Sequence, residues 1–319
     1  MNSVICVLAA LACTCTALTR EGIWLQMHFG GGVKDGENIP QLATTLGEKT
    51  LVELVTKAGL ADTLSSTAPP APFTVFGPTD AAFDALPQPI KDLLNNVTIL
   101  KDVLLYHVLS GEVYSTQLTN ELVAKSLSNG LPIRINIYQD GKVVTAQGSP
   151  IVLVNQNATN GVIHGLSRVM LPPAGTVVDV VSSVPGFNDL KTAVIAAKLL
   201  NVLAGDGPFT VFAPTDAAFA KLPPGTLDNL LKNITQLTSV LEYHVVSGTF
   251  YSAGLTNNMK VTTLNKQDFT VMVSSGGVSI NTGSGTANVI AADISITNGV
   301  IHVIDSVLIP PTMLYHLQK

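Results

Sequence analysis

Histidine is the residue type in this chain that most readily does chemistry, and it recurs at matching places in the two halves. His107 and His164 in the first half correspond to His244 and His302 in the second. A neutral imidazole can act as a general base or bind zinc. Zinc needs three or four ligands, and no further ligand lies at a suitable spacing. We therefore interpret all four as hydrogen-bonded core histidines, and we expect no metal site and no cofactor.

Patterns typical of enzymes are missing from the sequence. It contains no GxSxG elbow, no GxxxxGK[ST] phosphate loop and no HExxH pair. Its cysteines, Cys6, Cys13 and Cys15, all lie in the first 17 residues, so a chain without that segment has no thiolate and no disulfide. A Ser-His-Asp site built from distant residues stays open, because such sites have no fixed spacing. We expect no catalytic residue and no enzymatic activity.

The first residues are typical of a secretory leader. The apolar run VICVLAALACTCTAL has the length of a signal-peptide core, and Cys15 and Ala17 offer a small-residue cleavage site. We predict a signal peptide over 1–17, a flexible lead-in over 18–38 and a secreted, extracellular protein; a membrane anchor is the alternative. The last residues, SVLIPPTMLYHLQK, lack the polar spacer and hydrophobic tail of a glycolipid anchor. We therefore expect neither a glycolipid anchor nor a membrane span in the mature chain.

The composition indicates large buried cores and argues against nucleic acid as a partner. Charged residues make up only 12% of the chain and the mean hydropathy is +0.40. Beyond residue 20, however, no apolar run approaches the length of a membrane span. The formal net charge is −5 and no lysine or arginine cluster is present.

Three phrases appear twice, in the same order. They are PFTVFGPTDAAFDALP and PFTVFAPTDAAFAKLP at 72–87 and 208–223, LLYHVLSGEVYS and LEYHVVSGTFYS at 104–115 and 241–252, and TNGVIHGLSRVMLPP and TNGVIHVIDSVLIPP at 159–173 and 297–311. The offsets of 136 to 138 residues are too long for a solenoid repeat and have the size of a domain. We therefore predict two tandem domains, 39–173 and 174–312, followed by a short tail, 313–319.

The elements that position these residues can be read from local patterns. FTVF favours a strand that ends at Pro78, after which Thr79 or Asp80 caps a helix that directs Phe83 into the core. The second half repeats this pattern. Helical spacing then predicts a core-facing stripe, which a break near Asn96 or Asn233 would divide into two helices: Leu93, Val97, Leu100 and Leu104, with Leu230, Ile234, Leu237 and Leu241.

The remainder of each half is typical of strands. The pairs Ser110-Gly111 and Ser247-Gly248 are expected to end the stripe helix as a glycine C-cap. Short segments rich in Val and Ile follow, and Asn160-Gly161 and Asn298-Gly299 predict tight turns before a final buried strand. Helices followed by strands favour an α+β fold.

Together, these three phrases resemble the hallmark motifs of the fasciclin domain family of extracellular adhesion proteins, over about residues 39–312. The resemblance extends to the periostin-like and transforming-growth-factor-induced matrix proteins. It implies, in each half, a roughly seven-stranded β-sandwich or wedge flanked by helices. It also implies a secreted or surface protein that mediates contact between cells and matrix.

The resemblance further implies partner-binding residues. In the family, a Tyr-His pair has been assigned to integrin binding, and Tyr106-His107 and Tyr243-His244 match it. The alternative is a buried, hydrogen-bonded pair that ties helix to sheet. A second adhesion motif has Asp-Ile upstream of the NGVIH strand. Asp293-Ile294 matches it, whereas the first half has Asn155-Gln156 there; the alternative for Asp293 is a solvated turn.

Three Asn-x-Thr triplets are glycosylation acceptor patterns, at Asn96, Asn157 and Asn233. Asn96 and Asn233 are equivalent in the repeat.

Two functions follow as hypotheses. The first is a secreted matrix or adhesion protein that binds a cell-surface receptor such as an integrin, or a matrix protein or polysaccharide, through its two domains. The alternative is a carrier of a small ligand or polysaccharide in a groove of the fold.

Overall fold

The computed structural model describes residues 36–313. The chain folds into two compact units, with the division between Pro172 and Pro173. The described parts of these units are domain 1 (36–172) and domain 2 (173–313). The predicted signal peptide, most of the lead-in and most of the tail lie outside the described residues. Within residues 36–313, no helix is long and apolar enough to cross a membrane.

Domain 1 begins with three short helices and ends in a run of antiparallel strands. Its helices are α1 (Ile39–Thr45), α2 (Lys49–Lys57), α3 (Ala61–Ser65), α4 (Asp80–Asp84), α5 (Gln88–Leu93) and α6 (Val97–Tyr106). Its strands are β1 (Phe73–Pro78), β2 (Val108–Ser110), β3 (Val123–Lys125), β4 (Pro132–Tyr138), β5 (Val143–Ala146), β6 (Ser149–Ala158) and β7 (Gly161–Leu166).

Domain 2 repeats this order. Its helices are α7 (Val177–Ser183), α8 (Asn188–Ala196), α9 (Leu200–Leu203), α10 (Asp216–Phe219), α11 (Thr226–Lys232) and α12 (Ile234–Tyr243). Its strands are β8 (Phe209–Pro214), β9 (Val245–Ser247), β10 (Met259–Thr262), β11 (Asp268–Ser274), β12 (Gly277–Asn281), β13 (Thr286–Ile296) and β14 (Gly299–Ile304).

Each domain has one seven-stranded sheet that nearly closes on itself. The strand order is β2-β1-β7-β6-β5-β4-β3 in domain 1, and β9-β8-β14-β13-β12-β11-β10 in domain 2. The first strand runs parallel to the last, β1 beside β7 and β8 beside β14. The sheet edges meet where Leu127 N–H donates to the Val108 carbonyl (2.8 Å), and Leu264 N–H to that of Val245 (2.8 Å). The predicted α+β class, with about seven strands and flanking helices per domain, is confirmed.

Alternate side chains of β1 enter two different apolar clusters. In β1, Phe73 and Val75 pack with the helices. Phe76 points the other way and packs inside the curled sheet, together with Tyr106 and Ile133. Each domain therefore has a core on both faces of its sheet, which accounts for the high mean hydropathy.

The loop between β1 and α4 confirms the predicted cap. Thr79 Oγ1 accepts a hydrogen bond from Ala82 N–H (3.3 Å), which satisfies one free donor of the helix start. Asp80 instead accepts from Thr50 N–H (2.9 Å), so it joins α4 to α2. Phe83 is buried, as predicted. Domain 2 repeats these features at Thr215, Asp216 and Phe219.

The stripe helix is divided at the asparagines, and two of its predicted core positions are wrong. Asn96 and Asn233 cap α6 and α12, so the alternative of two short helices is correct. Val97 is 48% exposed and Ile234 is 43% exposed. Because the cap starts a new helix, its first residue does not continue the stripe of the preceding one. The later stripe residues are buried: Leu100, Leu104, Leu237 and Leu241.

The predicted Ser-Gly C-cap is also wrong. The stripe helix ends at Tyr106, and Val108–Ser110 forms β2, which pairs antiparallel with β1. Pairing with a strand distant in sequence thus overrides the local glycine signal. The glycine follows a strand, and it takes the positive φ of +89° at Gly111.

The turn before the last strand requires glycine for close approach. Ala158 pairs with Gly161, so Thr159 and Asn160 form the predicted tight turn. Gly161 has a φ of +153°, and a Cβ there would lie 2.0 Å from the Phe73 carbonyl oxygen. Only glycine therefore lets the last strand approach the first. In domain 2, a Cβ placed on Gly299 would lie 1.8 Å from the Phe209 carbonyl oxygen.

Candidate functional site

The Tyr-His pair of each repeat lies where the stripe helix meets the sheet, and both side chains are buried. Tyr106 is 0% exposed and His107 is 1% exposed. The Tyr106 hydroxyl donates to the Pro132 carbonyl at the start of β4 (2.7 Å). Tyr243 and His244 are likewise buried, and the Tyr243 hydroxyl donates to a carbonyl, that of Asp268, at 2.9 Å. The arrangement matches the structural alternative for both pairs.

His107 joins three parts of domain 1. Its Nδ1 lies 2.8 Å from the Val103 carbonyl oxygen, and its Nε2 lies 2.9 Å from the Met170 nitrogen. Its own carbonyl accepts from Phe76 N–H in β1 (2.9 Å). Because a backbone N–H can only donate, Nε2 is the acceptor and Nδ1 carries the proton. The ring is neutral, and burial lowers the pKa of His107 from its ordinary 6.5 to about 4.

His244 makes the same contacts in domain 2. Nδ1–H donates to the Val240 carbonyl (2.8 Å), and Nε2 accepts from Leu308 N–H (2.9 Å). Burial lowers the pKa of His244 to about 4 as well. The two domains therefore use one neutral tautomer for one structural task.

The second histidine of each domain holds the opposite tautomer. The Nδ1 of His164 accepts from Asn155 N–H (3.3 Å), so Nε2–H donates to the Val113 carbonyl (2.8 Å). Burial lowers the pKa of His164. In domain 2, His302 bonds in the same way to Asp293 and Phe250. All four histidines thus have both ring nitrogens engaged, and no group of three His, Cys, Asp or Glu within residues 36–313 is arranged to hold a metal ion.

Asp293 lies in a β-bulge of β13 and clamps a neighbouring loop. Its φ is +64°, and the register of β13 against β14 shifts between Ala291 and Ile294. One carboxylate oxygen accepts from Ser252 N–H (2.7 Å) and the other accepts from the Ser252 hydroxyl. The side chain is half-buried, and Ile294 is buried.

Asn155 holds the equivalent place in domain 1. Its φ is +56°, its Oδ1 accepts from Ser115 N–H (2.8 Å), and its Nδ2 donates to the Ser115 hydroxyl (2.8 Å). An amide and a carboxylate therefore hold the equivalent loop through the N–H and the hydroxyl of one serine, but the hydroxyl bond differs in direction: the Asn155 amide donates, whereas the Asp293 carboxylate accepts. The domains also differ by one negative charge at this position.

The three acceptor asparagines differ in accessibility. Asn96 and Asn233 are exposed, and each uses only its Oδ1 as a helix cap, accepting from Thr98 N–H (2.9 Å) and Gln236 N–H (3.2 Å) respectively. Their Nδ2 atoms, to which a sugar would be attached, are not used by the cap. Asn157 is half-buried within β6, and its buried Oδ1 has no hydrogen-bond partner among residues 36–313.

Asn160 and Asn298 have a second role, which the sequence patterns did not predict. Asn160 is 3% exposed; its Oδ1 accepts from Ile39 N–H (2.9 Å) and its Nδ2 donates to the Leu64 and Ser66 carbonyls (2.7 and 3.0 Å). It thus ties the last hairpin to the start of α1 and the end of α3. Asn298 makes the equivalent bonds to Val177, Leu203 and Gly205. The recurrence of TNG in both repeats is the signal that could have pointed to this role.

Glu48 is another residue that the sequence patterns did not single out, and it distinguishes the domains. It occupies the N-cap position of α2, is 3% exposed, and its Oε2 has no hydrogen-bond partner in the described chain. A Cβ at Gly77 would lie 2.5 Å from that oxygen, and a Cβ at Gly165 would lie 3.7 Å from Oε1. Burial, followed by the nearby Asp80 carboxylate, raises the pKa of Glu48 from 4.5 to about 7.

Domain 2 fills the same space with apolar groups. The N-cap of α8 is Phe187, which is buried. The strand pair facing it is Ala213 and Val303, where domain 1 has Gly77 and Gly165. Two glycines in domain 1 therefore make room for a carboxyl group at the position of a phenyl ring.

Comparison with known proteins identifies the family. The fasciclin domain matches residues 47–172 and 185–310, so the match occurs once in each domain and covers most of the chain. The chain therefore belongs to the fasciclin domain family, and the resemblance seen in the sequence is confirmed.

Several known proteins are similar to this chain. Human periostin is 34% identical over 240 residues, which is 75% of this chain and 28% of periostin. Transforming growth factor-beta-induced protein ig-h3 of Sus scrofa is 31% identical over 243 residues, 76% of this chain and 35% of that protein. The chain thus spans about a third of the length of these relatives. A solved FAS1 domain pair from the insect cell adhesion molecule fasciclin I has 21% identity and a TM-score of 0.43, covering 84% of this chain and 99% of that one.

We predict that acid destabilises both domains through their buried histidines. The folded pKa of His107 and His244 is about 4, below the ordinary 6.5, so the unfolded chain binds protons more readily between these values. The contribution of each histidine to the stability of its domain is therefore complete above pH 6.5, and it is lost as the pH drops toward 4. Each histidine contributes roughly 3 kcal/mol to this loss. Hydrogen exchange of the full chain, resolved by domain, measures it. His244→Gln should lower stability at neutral pH but flatten the acid loss in domain 2 alone; an unchanged acid slope would contradict the assignment.

We predict the opposite pH dependence for Glu48. Its folded pKa lies above the ordinary value, so its contribution is complete below pH 4.5 and is lost as the pH rises through 7, by roughly 3 kcal/mol. In domain 1 this offsets part of the histidine effect, whereas domain 2 has no such group at Phe187. Glu48→Gln should gain stability relative to the wild type above pH 7. Glu53→Gln, an exposed change in the same helix, is the matched control. Equal pH profiles for the wild type and Glu48→Gln would contradict the prediction.

We also predict selective glycosylation in protein made by eukaryotic cells. Asn96 and Asn233 should carry sugar because their caps leave Nδ2 free, whereas half-buried Asn157 should stay unmodified. Site-resolved mass spectrometry after glycosidase treatment measures this. Thr98→Ala and Thr235→Ala remove the acceptor patterns and leave both asparagine caps in place. Sugar on Asn157 with none on Asn96 would refute the prediction.

Proposed function

We propose that this protein is a secreted extracellular matrix or adhesion protein that binds a cell-surface receptor or matrix component through its domain surfaces. Membership of the fasciclin domain family and the similarity to periostin and ig-h3 support a matrix or adhesion role. The engagement of both ring nitrogens in every recurring histidine supports binding rather than catalysis as the task.

The contact with the partner is best assigned to the bulge at Asp293. The side chains of Tyr106, His107, Tyr243 and His244 are at most 2% exposed, so their effect on a partner would be indirect, through packing. Asp293 is half-buried on a bulge and carries a carboxylate where domain 1 carries an amide. A receptor that engages a carboxylate through a divalent cation, as an integrin does, would therefore select domain 2. The charge difference between Asp293 and Asn155 is the observation that carries this assignment.

The two domains supply the variant that tests it. Asn155 holds its loop through the N–H and hydroxyl of Ser115, with the hydroxyl now accepting, so Asp293→Asn should keep the fold while removing the charge. We expect the variant to need at least about tenfold more coated protein to support cell attachment, at an unchanged melting temperature. Chelation of divalent cations should abolish attachment to the wild type. Asn155→Asp, which adds the charge to domain 1, is the reciprocal control.

A cavity in domain 1 supports a second candidate function, the binding of a small apolar ligand. It measures about 250 Å³. It is lined mainly by aliphatic side chains, with two hydroxyl groups: Leu118, Ile137, Val144, Ile151 and Val154, with Ser115 and Thr116. This lining suits an alkyl group better than a polysaccharide, which needs many hydrogen-bonding partners. Failure of the wild type to support attachment, with or without cations, would favour this candidate over adhesion.

The acceptor asparagines bear on which surface remains available. Sugar at Asn96 and Asn233 would cover the exposed starts of α6 and α12 in the two domains. Partner contact would then be confined to other faces.

A further inference from the structure

The sequence contains three Asn-Gly dipeptides, and they differ in whether the asparagine side chain is free. They begin at Asn129, Asn160 and Asn298. Asn-Gly is the dipeptide most prone to spontaneous deamidation, because a residue without a Cβ leaves its backbone nitrogen open to attack. The reaction requires the asparagine side chain to turn back onto the nitrogen of the next residue. A side chain that is buried and hydrogen-bonded cannot do so without local unfolding.

Asn129 meets this requirement. It is exposed in the turn between β3 and β4, has a φ of +53°, and its side chain makes no hydrogen bond within residues 36–313. Gly130 is exposed, and a Cβ placed on it would meet nothing within 4 Å. The Gly130 N–H reaches the Ser126 carbonyl at 3.2 Å, the long end of the hydrogen-bond range. Both reacting groups are therefore accessible.

Asn160 and Asn298 do not meet it. They are 3% and 4% exposed, and each amide makes three hydrogen bonds to backbone groups of the helical part of its domain. The glycines that follow are locked against Phe73 and Phe209, at distances where no Cβ fits. The same dipeptide thus lies in one reactive and two protected environments.

We propose that Asn129-Gly130 is a site of spontaneous deamidation in the folded protein. The Gly130 nitrogen attacks Cγ of Asn129, a new N–Cγ bond forms, and the Cγ–Nδ2 bond breaks. The nitrogen's proton leaves with Nδ2 as ammonia, and a succinimide ring remains. Water then adds to one of the two ring carbonyls, and the bond from that carbon to the Gly130 nitrogen breaks. Attack at Cγ yields aspartate, and attack at the backbone carbonyl yields isoaspartate. No oxidant, reductant or enzyme is needed.

The position of the turn gives the modification a consequence for the fold. Isoaspartate routes the main chain through the former side chain and so adds a methylene group to the loop. That loop is held by Ser126 N–H donating to the Leu131 carbonyl (3.0 Å). The same loop contains Leu127, whose N–H donates to the Val108 carbonyl and so joins the two edges of the sheet. Formation of isoaspartate therefore loosens the closure of domain 1.

Domain 2 lacks this reactive pair. Its closing bond comes from Leu264, and the residue two further on is Lys266, with a φ of +64°, followed by Gln267. Lys266 has its positive φ in a turn that is one residue shorter, because Thr263 N–H donates to the Gln267 carbonyl (3.1 Å) where Ser126 N–H donates to that of Leu131. Asn129→Lys is therefore a variant that removes the reaction and places lysine at a positive φ, as the corresponding turn of domain 2 already does.

The first test is ageing of the full chain in mildly alkaline buffer, followed by peptide mapping with mass spectrometry. In the native protein, the peptide containing Asn129 should gain the mass difference between a carboxylic acid and an amide. It should also separate into an aspartate form and an isoaspartate form. It should do so at least about tenfold faster than the peptides containing Asn160 and Asn298. In denaturant all three should react at comparable rates. Native Asn160 or Asn298 reacting as fast as Asn129, or Asn129 reacting only in denaturant, would overturn the proposal.

The second test concerns the sheet closure. Hydrogen exchange of the aged chain should quicken at Leu127 and along β2, and it should remain unchanged at Leu264 in domain 2. Aged Asn129→Lys protein should match fresh protein. A deamidated sample with unchanged exchange at Leu127 would overturn the loosening of the closure.

Discussion

Each domain is organised around one buried, neutral histidine. In domain 1, Nδ1–H of His107 donates to the Val103 carbonyl of α6, and Nε2 accepts from the Met170 N–H in the segment after β7. Its own carbonyl bonds to β1. The ring works only while it is neutral, because a second proton would remove the acceptor that Met170 needs. The helix end, the first strand and the end of the domain thus meet at a single residue, through its ring and its backbone carbonyl.

This arrangement explains why these three segments, rather than others, are similar in the two halves of the chain. Each phrase supplies one part of this arrangement: FTVF forms the first strand, YHV contains the histidine, and NGVIH forms the last strand and its turn. The parallel pairing of first and last strands requires a glycine at the start of the last one, where a Cβ would collide with Phe73 or Phe209. The repeats diverge elsewhere: domain 1 has Glu48 opposite two glycines, domain 2 has Asp293 at the place of Asn155, and the turn that contains Asn129 is one residue longer than its counterpart.

Local patterns predicted those features whose cause is local. The Thr79 cap, the burial of Phe83 and the turn at Asn160 depend on a few neighbouring residues, and all were correct. The two errors have different causes, one local and one distant in sequence. Val97 continues the helical spacing of Leu93, yet the Asn96 cap restarts the helix and leaves Val97 exposed. Gly111 has the sequence of a helix cap, but pairing with β1 turns the preceding residues into a strand.

The predictions about the candidate site also divide into what the sequence marked and what it left open. The family resemblance marked the Tyr-His pairs and Asp293, and the Asn-x-Thr pattern marked the acceptor asparagines, but the sequence left open whether each faces solvent or the core. Burial depends on which surfaces pack together, and that is set by contacts between residues far apart in the chain. Glu48 illustrates the limit, because nothing near it in sequence indicates that Gly77 and Gly165 make room for it.

The sequence by itself determined the duplication, the types of most elements and the family, because repeats, spacing and capping residues act over short distances along the chain. Only the tertiary structure decided that the Tyr-His pairs are internal, which proton each histidine carries, and that one of three identical Asn-Gly pairs is open to water. These properties follow from the dielectric surroundings and the hydrogen-bond partners of each group, which exist only after distant segments have packed together.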